Sequence, residues 1–324
     1  MAKTIHDPQM PAAAGITDDL VLPFRTDTSG VTGRLVRLGP LVDQILSRHD
    51  YPEPVSDALG QAIALAALLG SAIKFNGKMI LQTKSDGPMG FLVVDFESPG
   101  RLRGYAAFDA ARTAELVATA PKDQGRLLGT GHMALTIDPG GRMDRYQGVV
   151  ALATEPLVDA ARTYFRQSEQ LPTFLRLAVA RHYDAADKTW TWRAGGLMLQ
   201  YVSPEGGIAQ PTPENEEAGQ LFGEDTDDWQ RAVILAGTVQ DHELLDPTLS
   251  PDRLLYRLFH EEGVRTHDAI PLDGYCSCSA TRVATLLKGF GAAELADMRE
   301  DDGQIAVTCE FCTTTYRFAP GQFE

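Results

Sequence analysis

Short apolar-rich runs bounded by turn residues recur along the first two thirds of the chain. LVLPF (20–24), GRLVRL (33–38), KMILQT (78–83), GFLVVDF (90–96), RLRGYAAF (101–108), MALTI (133–137) and RYQGVVALA (145–153) read as strands, as do LRLAVARHY (175–183) and GGLMLQYV (195–202). The turns SDGP and ESPG separate three of them, and DPGGRMD marks a hairpin. Between the strands the spacing predicts helices. One runs from Pro40 to near His49, and a longer one from Pro54 through an apolar run to Lys74. A third spans Glu155 to about Glu169, capped by Thr154 with Pro156 in its first turn.

Strands joined by short turns favour an antiparallel sheet with helices packed on it, an α+β fold. Residues 17–203 are expected to form this core domain, after an extension over 1–16. From Pro204 the composition shifts. Residues 204–228 are acidic and carry no lysine or arginine, so they read as a flexible, solvated segment. Two amphipathic helices follow, WQRAVILAGTV (229–239) and PDRLLYRLFHEEG (251–263), the second stopped by Gly263. Val233, Ile234, Leu235, Leu254, Leu255, Leu258 and Phe259 give them apolar faces that need a docking surface. The segment 204–270 is thus a helical linker, and 271–324 a small C-terminal module.

A net charge of -15 and a pI near 4.9 argue against nucleic acid or an anionic membrane as partner. The longest apolar stretch, Ala58–Ile73, falls short of the roughly 20 residues a membrane span needs and reads as a buried core helix. Met1–Gly15 has no apolar run of signal-peptide length, so the expectation is a cytoplasmic chain with reduced thiols.

The 4 cysteines sit in the last fifth of the chain: Cys276-x-Cys278, a gap, then Cys309-x-x-Cys312. Two paired sets in a reducing compartment read as a closed tetrahedral zinc site. Ile305, Val307, Tyr316 and Phe318 frame the second pair as a strand, turn and returning strand. Ser279 caps a short helix bearing Val283, Leu286 and Leu287, and another with Leu295 and Met298 runs to about Glu300. So few apolar residues make a weak core, and a metal would supply on the order of 10 kcal/mol of folding free energy. A zinc ribbon with a purely structural role and a disulfide-only site both remain open. Catalytic zinc does not suit four thiolates, which leave no place for water. The Cys-x-Cys half departs from an ordinary ribbon. Two sulfurs so close along the chain are able to join once a metal leaves, and such a site would be an oxidant-driven switch.

Catalytic motifs are missing from the sequence: there is no GxxxxGK[ST], GxSxG or HExxH. GTGHMA (129–134) precedes a strand and reads as a turn, His49–Asp50 are chain neighbours that rarely face each other, and His260 lies on a solvated face. No catalytic residue is assigned, and the chain is not expected to be an enzyme.

ILSRHDYPEPV (45–55), SDGPMG (85–90), RYQGVV (145–150), YFRQSEQLPT (164–173), AGGLMLQ (194–200), LLYRLFHEEGV (254–264), CSCS (276–279) and CEFC (309–312) occur in this order. In that order, with that cysteine spacing, the chain resembles the heat shock protein 33 family of redox-regulated holdase chaperones, also called 33 kDa chaperonins, from about residue 17 to 320. The resemblance implies one Zn2+ per chain in the reduced, inactive form, held by Cys276, Cys278, Cys309 and Cys312. It implies that oxidants join Cys276–Cys278 and Cys309–Cys312, that zinc leaves and the C-terminal part unfolds, and that the exposed surface binds unfolding client proteins without ATP, often as a homodimer. It does not assign the client-binding residues. The competing reading is a constitutive zinc-ribbon module that binds RNA, ribosome or protein. Against RNA, residues 271–324 carry eight acidic and four basic side chains.

Overall fold

The computed structural model describes residues 3–4, 18–73, 76–141, 144–185, 187–201, 224, 226–319 and 321–323. The elements are β1 (Lys3–Thr4), β2 (Leu20–Thr26), β3 (Thr32–Leu38), α1 (Pro40–Leu46), α2 (Glu53–Ala72), β4 (Lys78–Ser85), β5 (Phe91–Glu97), β6 (Arg101–Ala107), α3 (Ala110–Thr119), α4 (Gln124–Leu128), β7 (Thr130–Asp138), β8 (Tyr146–Ala153) and α5 (Leu157–Tyr164). A π-helical turn (Phe165–Glu169), β9 (Thr173–Asp184) and β10 (Thr189–Gln200) complete the first part. Then come α6 (Asp227–Gly237), α7 (Asp241–Leu245), α8 (Pro251–Phe259), a 3-10 turn (His260–Glu262), β11 (Val264–Thr266), β12 (Ile270–Pro271), β13 (Asp273–Gly274), α9 (Ala280–Leu287), α10 (Ala292–Asp297), β14 (Ile305–Thr308) and β15 (Thr315–Phe318).

The antiparallel α+β core divides its strands between two sheets. The first has the order β1-β11-β2-β3-β10-β9, with β12 also on β2, and the second the order β13-β6-β5-β4-β7-β8. Among the described residues only the pairing of β13 with β6 is parallel. Helix α2 lies between them, against β3, β9 and β10 on one side and β4, β5 and β6 on the other. That is why it is apolar on the sides that meet the sheets: Leu59, Ile63, Leu65 and Leu68 are fully buried. It is long and apolar enough to cross a membrane, but here two sheets cover it.

The first sheet is apolar on both faces. Val21, Val36, Leu175 and Met198 face α2, while Leu20, Leu22, Phe24, Leu35, Leu197 and Leu199 face the other way. Helices α6, α7 and α8 cover that outer face through Trp229, Ala232, Ala236, Leu244, Leu254, Leu255, Leu258 and Phe259. The Phe24 and Phe259 rings lie 5.5 Å apart. Trp229, Ala232 and Ala236 define the buried side of α6, so Ile234, expected on the docking face, points to solvent at 68% exposure.

Other departures are local. Thr154 does not cap the helix after it. Pro156 holds the N-cap position of α5, and Tyr164 passes into the π-turn. GTGHMA is mostly strand, since β7 starts at Thr130. Helices α3, α4 and α7 had no expectation behind them. The extension over 1–16 apart from Lys3–Thr4, and residues 202–223 and 225, which hold most of the acidic segment 204–228, lie outside the described residues.

Two of the motifs meet at one contact. A side chain on Gly148, in RYQGVV, would sit 2.4 Å from the ring of Tyr164, in YFRQSEQLPT. The Tyr164 hydroxyl donates to Glu169 at 2.8 Å.

Candidate metal centre

The chain enters the C-terminal module along the second sheet. The Tyr275 amide donates to the Leu102 carbonyl at 3.0 Å, which fixes the start of the Cys276–Cys278 loop against β6. Ser279 then caps α9 by accepting from the Arg282 amide. The hairpin of β14 and β15 presents the other pair. The Cys309 amide donates to Thr314 at 2.9 Å and the Thr313 amide returns to Cys309 at 2.8 Å, closing a tight knuckle. Leu287, Leu295, Ile305 and Phe318 form the module's buried cluster.

The four sulfurs converge within 4.8 Å of one another. Cys276 and Cys278 are 3.2 Å apart, Cys278 and Cys312 3.3 Å, and Cys276 and Cys309 3.7 Å. A tetrahedron with metal–sulfur bonds of about 2.3 Å has edges of roughly 3.8 Å. The cage therefore suits one metal ion with a soft, four-thiolate preference, and the sequence-derived set is the set brought together. All four thiols are half-buried, open enough for a small oxidant to enter.

The thiols disagree about their protons. Burial pushes Cys278 up to about 12 and raises Cys309 above its ordinary value. At Cys312 burial also pushes upward, but hydrogen bonding with the Thr314 side chain and backbone and with the Cys278 and Cys276 thiols together outweighs it and holds the thiol at about 6. A divalent cation removes the conflict, because a coordinating thiol is deprotonated outright.

The knuckle rests on a face of β6 that the sequence reading did not assign. Arg103 pairs with the buried carboxylate of Asp95 at 2.6 Å and donates to the Ser277 hydroxyl at 2.9 Å. Its guanidinium lies 4.0 Å over the ring of Phe311, between the two cysteines of the hairpin. Arg101 lies 4.7 Å over Tyr275. Tyr105 reaches the Phe311 ring at 6.2 Å. His49 stacks on Tyr51 at 4.8 Å, and burial lowers its pKa against a hydrogen bond with the Glu310 backbone. The signal for this face was the alternation Arg101, Arg103, Tyr105 on one side of β6.

Comparison with known proteins follows the same outline. The family model described as Hsp33 protein matches residues 19–319. A 33 kDa chaperonin of Caulobacter vibrioides (strain NA1000 / CB15N) is 43% identical over 307 residues, covering 94% of this chain and 96% of its own. A 33 kDa chaperonin of Ectopseudomonas mendocina (strain ymp) is 36% identical over 302 residues, covering 93% of this chain and 92% of its own. The crystal structure of the 33 kDa chaperonin (heat shock protein 33 homolog) of Thermotoga maritima superposes with a TM-score of 0.72 at 21% identity, covering 94% of this chain and 96% of that one, and speaks to the fold. On its sequence over nearly the whole length, the chain belongs to the Hsp33 family of chaperonins.

Proposed function

We propose that this chain is a redox-switched, ATP-independent holdase of the cytoplasm, silent when reduced and metal-bound. The observation that carries the reading is the four-thiol cage, with Cys276 and Cys278 already 3.2 Å apart, on a module with only a small apolar cluster. Zn2+ bound there would hold four thiolates together and supply the folding free energy the cluster lacks. Cys276, Cys278, Cys309 and Cys312 are its ligands.

Peroxide takes two electrons from each neighbouring pair. Cys276 joins Cys278 and Cys309 joins Cys312, and each oxidation consumes two protons per peroxide and yields two waters. The sulfurs then have no thiolate left to bind a cation. The module, proposed as the unit 271–324, loses its fold, and with it the short β13 tie to β6. Helices α6 to α8, in the unit 204–270, then leave the outer face of the first sheet. That face, on the core unit 17–203, receives unfolding chains, and the oxidised form pairs as a homodimer. The sequence carries no nucleophile with a base at a known catalytic spacing, and the acidic charge opposes nucleic acid.

The deciding experiment measures zinc release and free thiols before and after peroxide, with a client aggregation assay on both forms and no ATP. Protection only after oxidation supports the switch. Equal protection in both forms, with zinc retained, supports a constitutive ribbon instead.

A further inference from the structure

The face under the linker helices is not a plain apolar surface. Arg37, on β3 in the centre of the first sheet, is fully buried, and its guanidinium donates to three main-chain carbonyls. It donates to Glu243 at 3.0 Å, to Asp246 at 2.9 Å, and to Leu249. Arg193, on the neighbouring strand β10, donates to the Leu245 carbonyl at 2.6 Å and pairs with Asp18. Glu243 and Leu245 lie in the last turn of α7, whose carbonyls lack intrahelical partners; Asp246 is its C-cap and also accepts from the Leu249 amide at 3.3 Å, and Leu249 ends the turn that leads into α8. The floor between the arginines is Gly195, where a side chain would lie 2.6 Å from the Leu244 carbonyl oxygen. Leu244 itself is fully buried. At the rim, Arg176 pairs with Asp241 at 2.7 Å.

The geometry points to a socket for the C-terminal end of a helical turn: two buried guanidiniums for its free carbonyls, a glycine floor for close approach, and an apolar wall for a leucine. We infer that, once α6 to α8 leave, this socket takes client segments that keep such a turn, in preference to extended apolar strands. The chemistry recognises backbone carbonyls and one apolar side chain, so it tolerates many sequences. That suits a holdase and explains why a cation is buried in an otherwise apolar face. The helix C-terminus also carries partial negative charge, which complements the arginines. The inference rests on the proposed function only in that the linker must vacate the face.

The test uses the full chain in two uncovered forms: oxidised wild type, and reduced Leu254→Ser/Phe259→Ser, in which the linker is undocked without oxidation. The probe is a fluorescent peptide of residues 238–250 in acetylated, amidated form, read by anisotropy. The control is the reversed sequence, which has the same composition with the helix ends exchanged. The expected result is that the native order binds the undocked variant about tenfold or more tighter than the reversed order. Arg37→Lys, which keeps the charge but loses the fork, brings the two to the same level while dye binding to the uncovered face persists. Equal binding of both peptides, no effect of Arg37→Lys, or no binding to the undocked variant overturns the inference. If the undocked variant binds with this dependence and the oxidised wild type does not, the socket stands and the redox route to it fails.

Discussion

The guanidinium of Arg103 and the ring of Phe311 are stacked 4.0 Å apart, joining the middle of the second sheet's β6 to the loop between Cys309 and Cys312. The metal centre is thus tied to the core by a contact that involves none of its sulfurs. Phe311→Ala keeps the Arg103–Asp95 pair and removes the stack and the Tyr105 contact, together worth about 1–2 kcal/mol. We expect the module to keep its metal in the reduced form and to release it about 5- to 30-fold faster under peroxide. Zinc release followed with a chromogenic chelator checks this, and an unchanged rate contradicts it.

Chelation of the reduced protein, or Cys309→Ser, is expected to loosen residues 271–319 and leave α2 and both sheets protected. The module's buried cluster is Leu287, Leu295, Ile305 and Phe318, whereas the core has its own large apolar interior. Hydrogen exchange resolves the two regions. Loss of protection in α2 would show that the core depends on the metal.

Gly148→Ala places a methyl group 2.4 Å from the Tyr164 ring. The overpacking should cost about 1–3 kcal/mol. Tyr164→Leu should lower stability alone and cost less in the Gly148→Ala background. A double-mutant cycle in urea measures the coupling, and additive effects would mean the two motifs do not communicate.

Phe259→Ala removes a fully buried ring that packs on Phe24, at a cost of about 3–5 kcal/mol to the seating of α8. The expected outcome is partial client protection by the reduced, metal-bound protein. A fully silent reduced variant with normal exchange protection at 251–263 would argue that α8 does not guard the client surface.

Burial raises the Asp57 carboxyl to about 6, against a hydrogen bond from Gln61. In the unfolded chain its pKa is about 3.9, so the folded state binds that proton more tightly. Stability from this group therefore rises as pH falls from about 6 towards 4 and is absent above that window. Asp57→Asn should flatten the slope and stabilise the protein near neutral pH by up to about 3 kcal/mol. Thermal melts of both proteins across the window decide it, and parallel curves would refute the assignment.

Much of this was legible from residue pattern alone. Short apolar runs bounded by turn residues located the core strands, proline and serine located most helix starts, and the cysteine spacing marked the four sulfurs that meet at one point. Partition of the strands into two sheets was not legible, because β2, β3, β9 and β10 are apolar on both faces and name no partner. The buried side of α6 was misjudged for a related reason. VIL is the most apolar triplet there, but Trp229 and two alanines make the close contact, since small residues let the helix approach the sheet. Arg37 gave no warning either: in GRLVRL it looks like the polar beat of a half-exposed strand. Its burial depends on carbonyls about 200 residues away.

The place of α2 between the sheets has a consequence for how the chain is made. One wall of that helix, β4 to β6, emerges from the ribosome soon after it. The other wall needs β9 and β10, which end at Gln200 and insert β10 between β3 and β9. Some 130 residues separate the end of α2 from that point, about 6–25 s of synthesis at common rates. For that interval the most apolar segment of a member of a chaperonin family is half-bare, and a nascent chain stalled before Gln200 would itself need protection from aggregation.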